Sequence, residues 1–365
     1  MNSSIRLHLF ALAVGVLATL AGGTKALAQS VGAPAALDRP ALLSPKAAGR
    51  AMLTLARAGT RLVAAGERGI VLYSDDGGAQ WKQVATPTSV TLVALRFADD
   101  KHGWAIGHMG VILHTEDGGQ TWVKQLDGLH AAALVAEAAR RSGDERAIAR
   151  AERLLADGAD KPFFDLHVEN ATTAIVVGAF NLAFRTGDGG TTWLPWQEHL
   201  ENPKALHLHA IRKVGKALLI VGEQGLMLRS LDGGEHFQAL PSPYVGSWFG
   251  LLETRGEQLI AYGLRGNAYV SADAGSHWEK LQTGTVASIS AATQLGDGRV
   301  VLASQAGELL VAAQPDRAGA IPTFTPMAGK AGLPLTDVVQ DAHGGLALAS
   351  LRGVLTTPVA AAPQP

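Results

Sequence analysis

The chain has 365 residues, a formal net charge of −1 and no cysteine, and 47% of its residues are hydrophobic. The lack of cysteine excludes disulfides, thiolate metal sites, a cysteine nucleophile and a lipid-modified cysteine. The near-neutral charge offers no support for nucleic-acid binding, and 43 glycines with few helical patterns favour an all-β protein rich in tight turns.

The first 28 residues have the pattern of a secretory signal peptide. Arg6 supplies a positive charge, residues 7–20 are almost wholly apolar, and Ala26-Leu27-Ala28 offers small residues for cleavage. A transmembrane anchor is the less favoured alternative, because the apolar run is short for a full span, and no later segment approaches that length. We therefore expect export to the periplasm, or to the lumenal side of the thylakoid in a phototroph. Residues 29–38 are expected to form a flexible segment.

Five copies of one eight-residue pattern, Ser/Thr-x-Asp-x-Gly-x-x-aromatic, follow along the chain. Each copy, which we call an Asp box, joins two short extended runs as a hairpin turn does. We expect the aspartate to accept backbone hydrogen bonds, the glycine to take a positive φ and the aromatic side chain to pack between units. Catalysis or calcium binding is less favoured, because one active site does not need five copies. The box positions are Asp76, Gly78, Trp81, Asp117, Gly119, Trp122, Asp188, Gly190, Trp193, Asp232, Gly234, Phe237, Asp273, Gly275 and Trp278.

The spacing of the box aromatics predicts a β-propeller. They lie 41, 71, 44 and 41 residues apart, which fits four antiparallel strands per blade with one insertion. Two units without a box, at about 287–327 and 335–359, bring the total to seven blades, with six or eight as alternatives. Because the last unit holds three strands, we expect residues 39–44 to add its outermost strand and close the ring. The propeller domain is predicted over 39–359, with 360–365 as a tail.

The insertion at about 129–158 has the pattern of a helical hairpin, broken at Ser142-Gly143-Asp144. In a four-stranded blade, the turns between the second and third strands share one face with the inter-blade connections, and the boxes lie on the other. We call the face that carries the turns between the second and third strands the hairpin face, because the helical hairpin is one of the inter-blade connections on that side. Loops on a rigid scaffold often carry function, and the candidate partner-binding residues on this face are Arg68, Arg265, Arg352, Tyr244, Trp248 and Phe249. The alternative is a solvated rim with Trp248 and Phe249 buried beneath the hairpin.

The second unit reads Gly103-Trp104-Ala105-Ile106-Gly107-x-x-Gly110-x-Ile112-Leu113-x-Thr115-x-Asp117-Gly118-Gly119-x-Thr121-Trp122. This motif resembles the photosystem II stability and assembly factor family and, more broadly, bacterial proteins with BNR or Asp-box repeats. The resemblance covers about 39–359. It implies a seven-bladed assembly chaperone that binds a newly made reaction-centre subunit through a basic patch, to which Arg68, Arg265 and Arg352 would correspond. The chain departs from the family pattern in its helical insertion and in having no cysteine to lipidate.

The favoured function is a non-catalytic, exported scaffold or assembly factor that binds a membrane or envelope protein subunit as a monomer. One alternative is an accessory role beside an envelope exporter. A sialidase-type glycoside hydrolase is another, because Asp boxes also mark those enzymes, with Glu67 and Glu223 as conceivable paired carboxylates. A sugar- or lipid-binding module using Trp248 and Phe249 is a third. No catalytic, cofactor-binding or metal-binding residue is predicted.

Overall fold

Seven antiparallel sheets follow one another along the chain in a computed structural model that describes residues 34–312, 323–327 and 331–359. Within each sheet the strands lie in chain order. The first strand of each sheet contacts the first strand of the next, and the first strand of the seventh sheet contacts that of the first. The molecule is therefore a seven-bladed β-propeller, as the repeat spacing predicted.

The strands have the following bounds. Blade one contains β1 Met52–Ala58, β2 Arg61–Gly66, β3 Val71–Ser74 and β4 Lys82–Val84. Blade two contains β5 Leu92–Phe97, β6 Gly103–Gly107, β7 Ile112–Thr115 and β8 Val123–Leu126. Blade three contains β9 Phe163–Val168, β10 Ala174–Gly178, β11 Ala183–Thr186 and β12 Leu194–Pro195. Blade four contains β13 Leu208–Val214, β14 Ala217–Gly222, β15 Met227–Ser230 and β16 Gln238–Ala239.

The remaining blades complete the ring. Blade five contains β17 Trp248–Glu253, β18 Leu259–Gly263, β19 Ala268–Ser271 and β20 Glu279–Lys280. Blade six contains β21 Ile289–Gln294, β22 Val300–Ser304, β23 Leu309–Ala312 and β24 Phe324–Pro326, and blade seven contains β25 Leu335–Gln340, β26 Leu346–Ser350 and β27 Gly353–Thr357. The second strand of each blade is almost fully buried, because neighbouring blades cover both of its faces, and its sequence is accordingly apolar except for Arg61 at the start of β2 and the serines that end β22 and β26.

Each Asp box stabilises the β-turn between the third and fourth strands of its blade by side-chain hydrogen bonds. In blade two, Asp117 Oδ1 accepts hydrogen bonds from the backbone N–H groups of Gln120 and Thr121, both at 2.9 Å. Thr115 Oγ accepts from the Gly119 N–H at 3.0 Å, and Trp122 Nε1 donates to the Gly119 carbonyl at 3.0 Å. The box aromatics also pack against the preceding blade: Trp122 belongs to a cluster with blade one, Trp193 with blade two, Phe237 with blade three, Trp278 with blade four and Trp81 with blade seven. These hydrogen bonds and packing contacts are those expected of a structural turn.

The predicted closure by residues 39–44 is wrong. The Ala41 N–H donates to the Thr86 carbonyl at 3.2 Å, and the Gln83 side chain bonds both the Leu42 carbonyl and the Ser44 N–H. This segment therefore follows the outer edge of blade one. Most of its hydrogen bonds to blade one are made by the Gln83 side chain, so it does not form a further strand. Blade seven accordingly has three strands among the described residues.

The ring closes instead through its innermost strands. Asp337 on β25 accepts a hydrogen bond from the Leu55 N–H of β1 at 2.8 Å and another from the Thr54 hydroxyl at 3.2 Å. The neighbouring Thr336 hydroxyl donates to the Met52 carbonyl at 2.7 Å. Side chains of the last blade thus satisfy backbone and side-chain groups of the first, which joins the two ends of the array.

The helical insertion forms two capped helices, α1 Gly128–Ser142 and α2 Glu145–Asp157. Asp144 caps α2 by accepting the Arg146 N–H at 2.8 Å, and Gly143 ends α1 with a φ of +71°. The buried side of α1, which includes Val135, shares a hydrophobic cluster with Trp104 of blade two and Trp193 of blade three. The hairpin is therefore packed onto the propeller.

The segment before the propeller is partly ordered. Leu37 is 1% exposed and lies in the core between blades one and two. The Ala36 carbonyl accepts hydrogen bonds from the Ser89 N–H at 2.9 Å and the Thr88 hydroxyl at 2.8 Å. The flexible segment expected over 29–38 therefore does not extend to 34–38. The predicted signal peptide, its cleavage site and the tail at 360–365 lie outside the described residues, within which no helix is long and apolar enough to cross a membrane.

Candidate partner-binding face

In blades one to five the turns between the second and third strands share one unusual backbone shape. A single turn of 3-10 helix follows the strand, and its middle residue takes a left-handed φ between 52° and 58° although it is not glycine. These middle residues are Arg68, Met109, Phe180, Gln224 and Arg265. The next residue is also left-handed, and at Gly69 an added Cβ would lie 2.1 Å from the Thr88 carbonyl oxygen. In blade three Asn181 takes this place with a φ of 65°, in keeping with its tolerance of that region.

Arg68 and Arg265 occupy turns of this shape, and Arg352 lies in the turn between the second and third strands of blade seven but does not take a left-handed φ. Arg68, Arg265 and Arg352 belong to blades one, five and seven, and all three are exposed. Among the described residues none of them makes an ion pair, whereas most other arginines of the propeller do or bond to carbonyls. A cavity of about 200 Å³ opens beside Arg68 and is lined also by Leu42, Arg50 and Glu67. The three predicted arginines therefore lie on the hairpin face without an ion-pair partner among the described residues, and we call them the basic rim.

The aromatic candidates divide between core and surface. Trp248 is fully buried, donates its Nε1–H to Ser242 Oγ at 3.3 Å, and packs edge-on against Tyr269. Its assignment to partner binding is therefore wrong, and it is covered by its own blade and blade four, not by the helical hairpin. Tyr244 and Phe249 are partly exposed, so both remain candidates.

A one-residue irregularity explains why the neighbours Trp248 and Phe249 differ. Every innermost strand has a register shift between its first and third residues, so the second residue is unpaired. These second residues are partly exposed at the hairpin-face end of the ring axis, and we call them the axial ring. They are Leu53, Val93, Phe164, His209, Phe249, Ser290 and Thr336.

Three of the seven residues of the axial ring are aromatic. The His209 ring lies 5.6 Å from Phe164 and 6.2 Å from Phe249, between centroids. His207 joins them 6.0 Å from Phe164 and stacks edge-on at 4.5 Å with Phe180, which is 58% exposed. Burial lowers the pKa of His209, whose Nδ1 lies 2.7 Å from the Trp248 carbonyl. Blades three to five therefore present an aromatic surface, and blades five, seven and one present the arginines.

A buried charge cluster lies deeper along the inner strands. Arg212 pairs with Asp165, and Arg96 lies 3.5 Å from the same carboxylate. Burial and the neighbouring Arg212 lower the pKa of Arg96, and burial raises the pKa of Tyr262 to about 12. Asp165 also accepts the Ile211 N–H at 3.0 Å, as Asp337 does from Leu55. The cluster was missed from the sequence, although a lone aspartate in the apolar strand Phe163–Val168 was a usable signal.

The opposite face carries the Asp boxes. Hydrogen bonds from the Ser230 hydroxyl and from His236 hold the pKa of Asp232 well below its usual range. The other four box aspartates also have lowered pKa values, so all five are held as structural carboxylates. Within the described ranges no group of three or more histidine or acidic side chains is arranged to hold a metal ion. Glu67 and Glu223 lie on turns of blades one and four, and Glu223 accepts the His207 N–H at 2.9 Å, so they form no carboxylate pair.

Comparison with protein families identifies the group. The profile described as "Photosynthesis system II assembly factor YCF48" matches residues 74–161 and 144–323. The chain belongs to the YCF48 family. Among curated proteins no sequence matches it.

Solved structures share the propeller fold with this YCF48-family chain. One described as "YCF48 bound to D1 peptide" is 16% identical with a TM-score of 0.62, and the match covers 88% of this chain and 99% of the other. YCF48 from Cyanidioschyzon merolae is 14% identical with a TM-score of 0.61, covering 87% and 97%. The WD40 propeller domain of Doa1 is 9% identical with a TM-score of 0.60, covering 88% and 95%. At these identities the structural likeness establishes the fold alone.

Proposed function

We propose that this protein is a non-catalytic assembly factor whose hairpin face binds a segment of a membrane or envelope protein subunit, its client. The observation that supports this proposal most strongly is the combination of three exposed, unpaired arginines with a half-exposed aromatic surface on one face. Arginine and aromatic side chains supply most of the binding energy in protein interfaces. Membership of the YCF48 family supports the proposal, as does the relative described as bound to a D1 peptide.

A sialidase-type activity is less well supported. Such an enzyme needs arginines free to bind the substrate carboxylate and an accessible tyrosine nucleophile. In the inner strands, Arg96 and Arg212 both face Asp165, and Tyr262 is buried with a raised pKa. The charges along the axis are thus already paired with one another, and we propose that they stabilise the ring.

Export is part of the proposal. It rests on the signal-peptide pattern of residues 1–28 and on the lack of cysteine, which an oxidising compartment would otherwise pair. An amino-terminal sequence of the protein from the source cells that starts at Gln29 would support it. An intact leader in a soluble cytoplasmic protein would contradict it.

The binding proposal is tested by charge reversal. Arg68, Arg265 and Arg352 are changed together to glutamate, and capture of proteins from detergent-solubilised membranes is measured by quantitative mass spectrometry against wild type. The matched control reverses Lys82, Lys101 and Lys216, which are exposed at the opposite end of the strands. We expect the first variant to lose its client and the control to retain it. Equal capture by both variants would remove the basic rim from the proposal, and capture of exporter subunits would direct it to that alternative.

A further inference from the structure

Blade seven has an open edge at its outer strand. In the other six blades a fourth strand covers the third, but β27 has no such partner among the described residues. In blades three to six one carbonyl of the third strand accepts an N–H from the fourth: those of Ala183, Met227, Ala268 and Leu309, at 2.8 to 2.9 Å. The strand pairing makes Val354 the equivalent residue in blade seven, and among the described residues no fourth strand donates an N–H to its carbonyl.

The side chains of β27 are also more exposed than their counterparts in blade one. Val354 and Leu355 are partly exposed, and Thr356 is exposed. Their counterparts in blade one, Val71 and Leu72, are 0% and 1% exposed because β4 covers that strand. An edge strand with unpaired backbone groups and half-exposed apolar side chains is a template for a further strand.

The charged residues near the ends of β27 indicate what kind of segment could bind there. At its hairpin-face end, an added Cβ on Gly353 would lie 2.2 Å from the Ala48 carbonyl oxygen, so the segment ending at Arg50 adjoins this end. Arg50 and Arg352, which flank that contact in sequence, are both exposed. At the other end, Gly345 lies beside both the Asp341 carboxylate and the Thr357 carbonyl. Asp341 is only 8% exposed and accepts the Gly345 N–H, so the exposed charge at this edge is the basic pair at its hairpin-face end.

We propose that an extended segment of the client protein binds to β27 as the missing fourth strand of blade seven. The fourth strands of the other blades are antiparallel to the third. An antiparallel segment on β27 runs towards the hairpin face, so its carboxyl-terminal end meets Arg50 and Arg352. The segment is accordingly rich in β-branched residues, with acidic residues at that end. This inference rests on the proposed function, because it names the place and chemistry of the client.

The alternating direction of backbone hydrogen bonds along β27 determines which residues to substitute. In blade four the Met227 carbonyl accepts a hydrogen bond from the fourth strand, and Val354 is its equivalent in blade seven. Because backbone groups alternate in direction along a strand, Val354 and Thr356 direct theirs away from β26, whereas Leu355 bonds to β26. Proline at position 356 removes an outward N–H while leaving the pairing with β26, and proline is tolerated on edge strands. Valine at position 356 keeps the N–H and serves as the matched control.

The test uses full-length protein and a blocked synthetic peptide of alternating threonine and valine that ends in two glutamates. Fluorescence anisotropy should show binding that Thr356→Pro weakens by about tenfold, the equivalent of one backbone hydrogen bond or more, while Thr356→Val changes it less than about twofold. Replacing the glutamates of the peptide by lysines should weaken binding similarly. On binding, hydrogen exchange at the Thr356 amide should slow.

Four results would overturn the strand proposal. Unaltered peptide affinity in Thr356→Pro is one. Slow exchange of the Thr356 amide in the free protein is another, because the edge would then already be occupied by the chain itself. A dimer in sedimentation experiments that Thr356→Pro dissociates would assign the edge to a second copy. If Thr356→Pro still captures the membrane client but the arginine reversal does not, strand addition fails and the proposed function stands.

Discussion

Replacing Asp337 by alanine tests how the ring is held closed. The substitution removes the acceptor of the Leu55 N–H and of the Thr54 hydroxyl, and Leu55 is 2% exposed. A buried N–H left without a partner costs about 1–3 kcal/mol, and a hydrogen bond to a charged group contributes about 1.5–3 kcal/mol. Burial raises the pKa of Asp337, so the loss of a desolvated carboxyl offsets part of this cost. We expect a net loss of about 2–4 kcal/mol in the free energy of unfolding.

Two variants make the comparison specific. Asp337→Asn keeps an oxygen for the Leu55 N–H and should lose less than about 1 kcal/mol. Gln83→Ala removes the two bonds that tie residues 42 and 44 to blade one, which are partly exposed, and it should also lose less than about 1 kcal/mol. Urea unfolding gives the free energies, and hydrogen exchange at the Leu55 amide reports local opening between blades one and seven. Greater destabilisation by Gln83→Ala than by Asp337→Ala would refute closure through the inner strands.

Three further predictions concern the boxes and the aromatic residues. Asp117→Ala should lower the free energy of unfolding by about 1–2 kcal/mol, because two backbone N–H groups and two hydroxyls lose their acceptor; an effect below measurement error in urea titrations would contradict this structural role of the box. Burial tends to raise the pKa of Asp273, but hydrogen bonds from His277 and Ser271 outweigh it and bring the value to about 2, so the fold favours the ionised form. The contribution of Asp273 to the free energy of unfolding should be complete above about pH 4 and be lost as the pH falls towards 2. Asp273→Asn should therefore make the free energy of unfolding depend less steeply on pH in this range. Trp248→Ala should cost about 3–5 kcal/mol of stability, whereas Phe249→Ala should leave the unfolding midpoint almost unchanged and reduce client capture; the reverse pattern would show that the axial ring is misplaced.

The blades were predictable because their signal is local and repeated. Ser or Thr, Asp, Gly and an aromatic residue within eight positions define both the hydrogen bonds and the packing of each box, so the boxes locate five blades, and the two blades without a box were inferred from their strand patterns. The helical hairpin was predictable for the same reason, since Gly143 and Asp144 end one helix and cap the next within two residues.

Closure and the partner-binding face were harder to predict. The bonds between Asp337 and Leu55 join residues 282 positions apart, and no local pattern marks which segment will pair with the last blade. At the binding face a single unpaired residue decides the outcome: Trp248 turns inwards and Phe249 outwards. Since a shift of one residue exchanges the two sides of a strand, composition alone did not distinguish the core residue from the surface residue.

Site-specific photo-crosslinking can show which face of the propeller contacts the client protein. A photoreactive amino acid is placed at Gln224 or Leu351 on the hairpin face, and at Glu235 or Ser276 on the box face, all partly or fully exposed. After irradiation with source membranes, we predict that one membrane-protein segment is crosslinked from the hairpin-face positions and not from the box-face positions. Crosslinks to that protein from the box face alone would contradict the account.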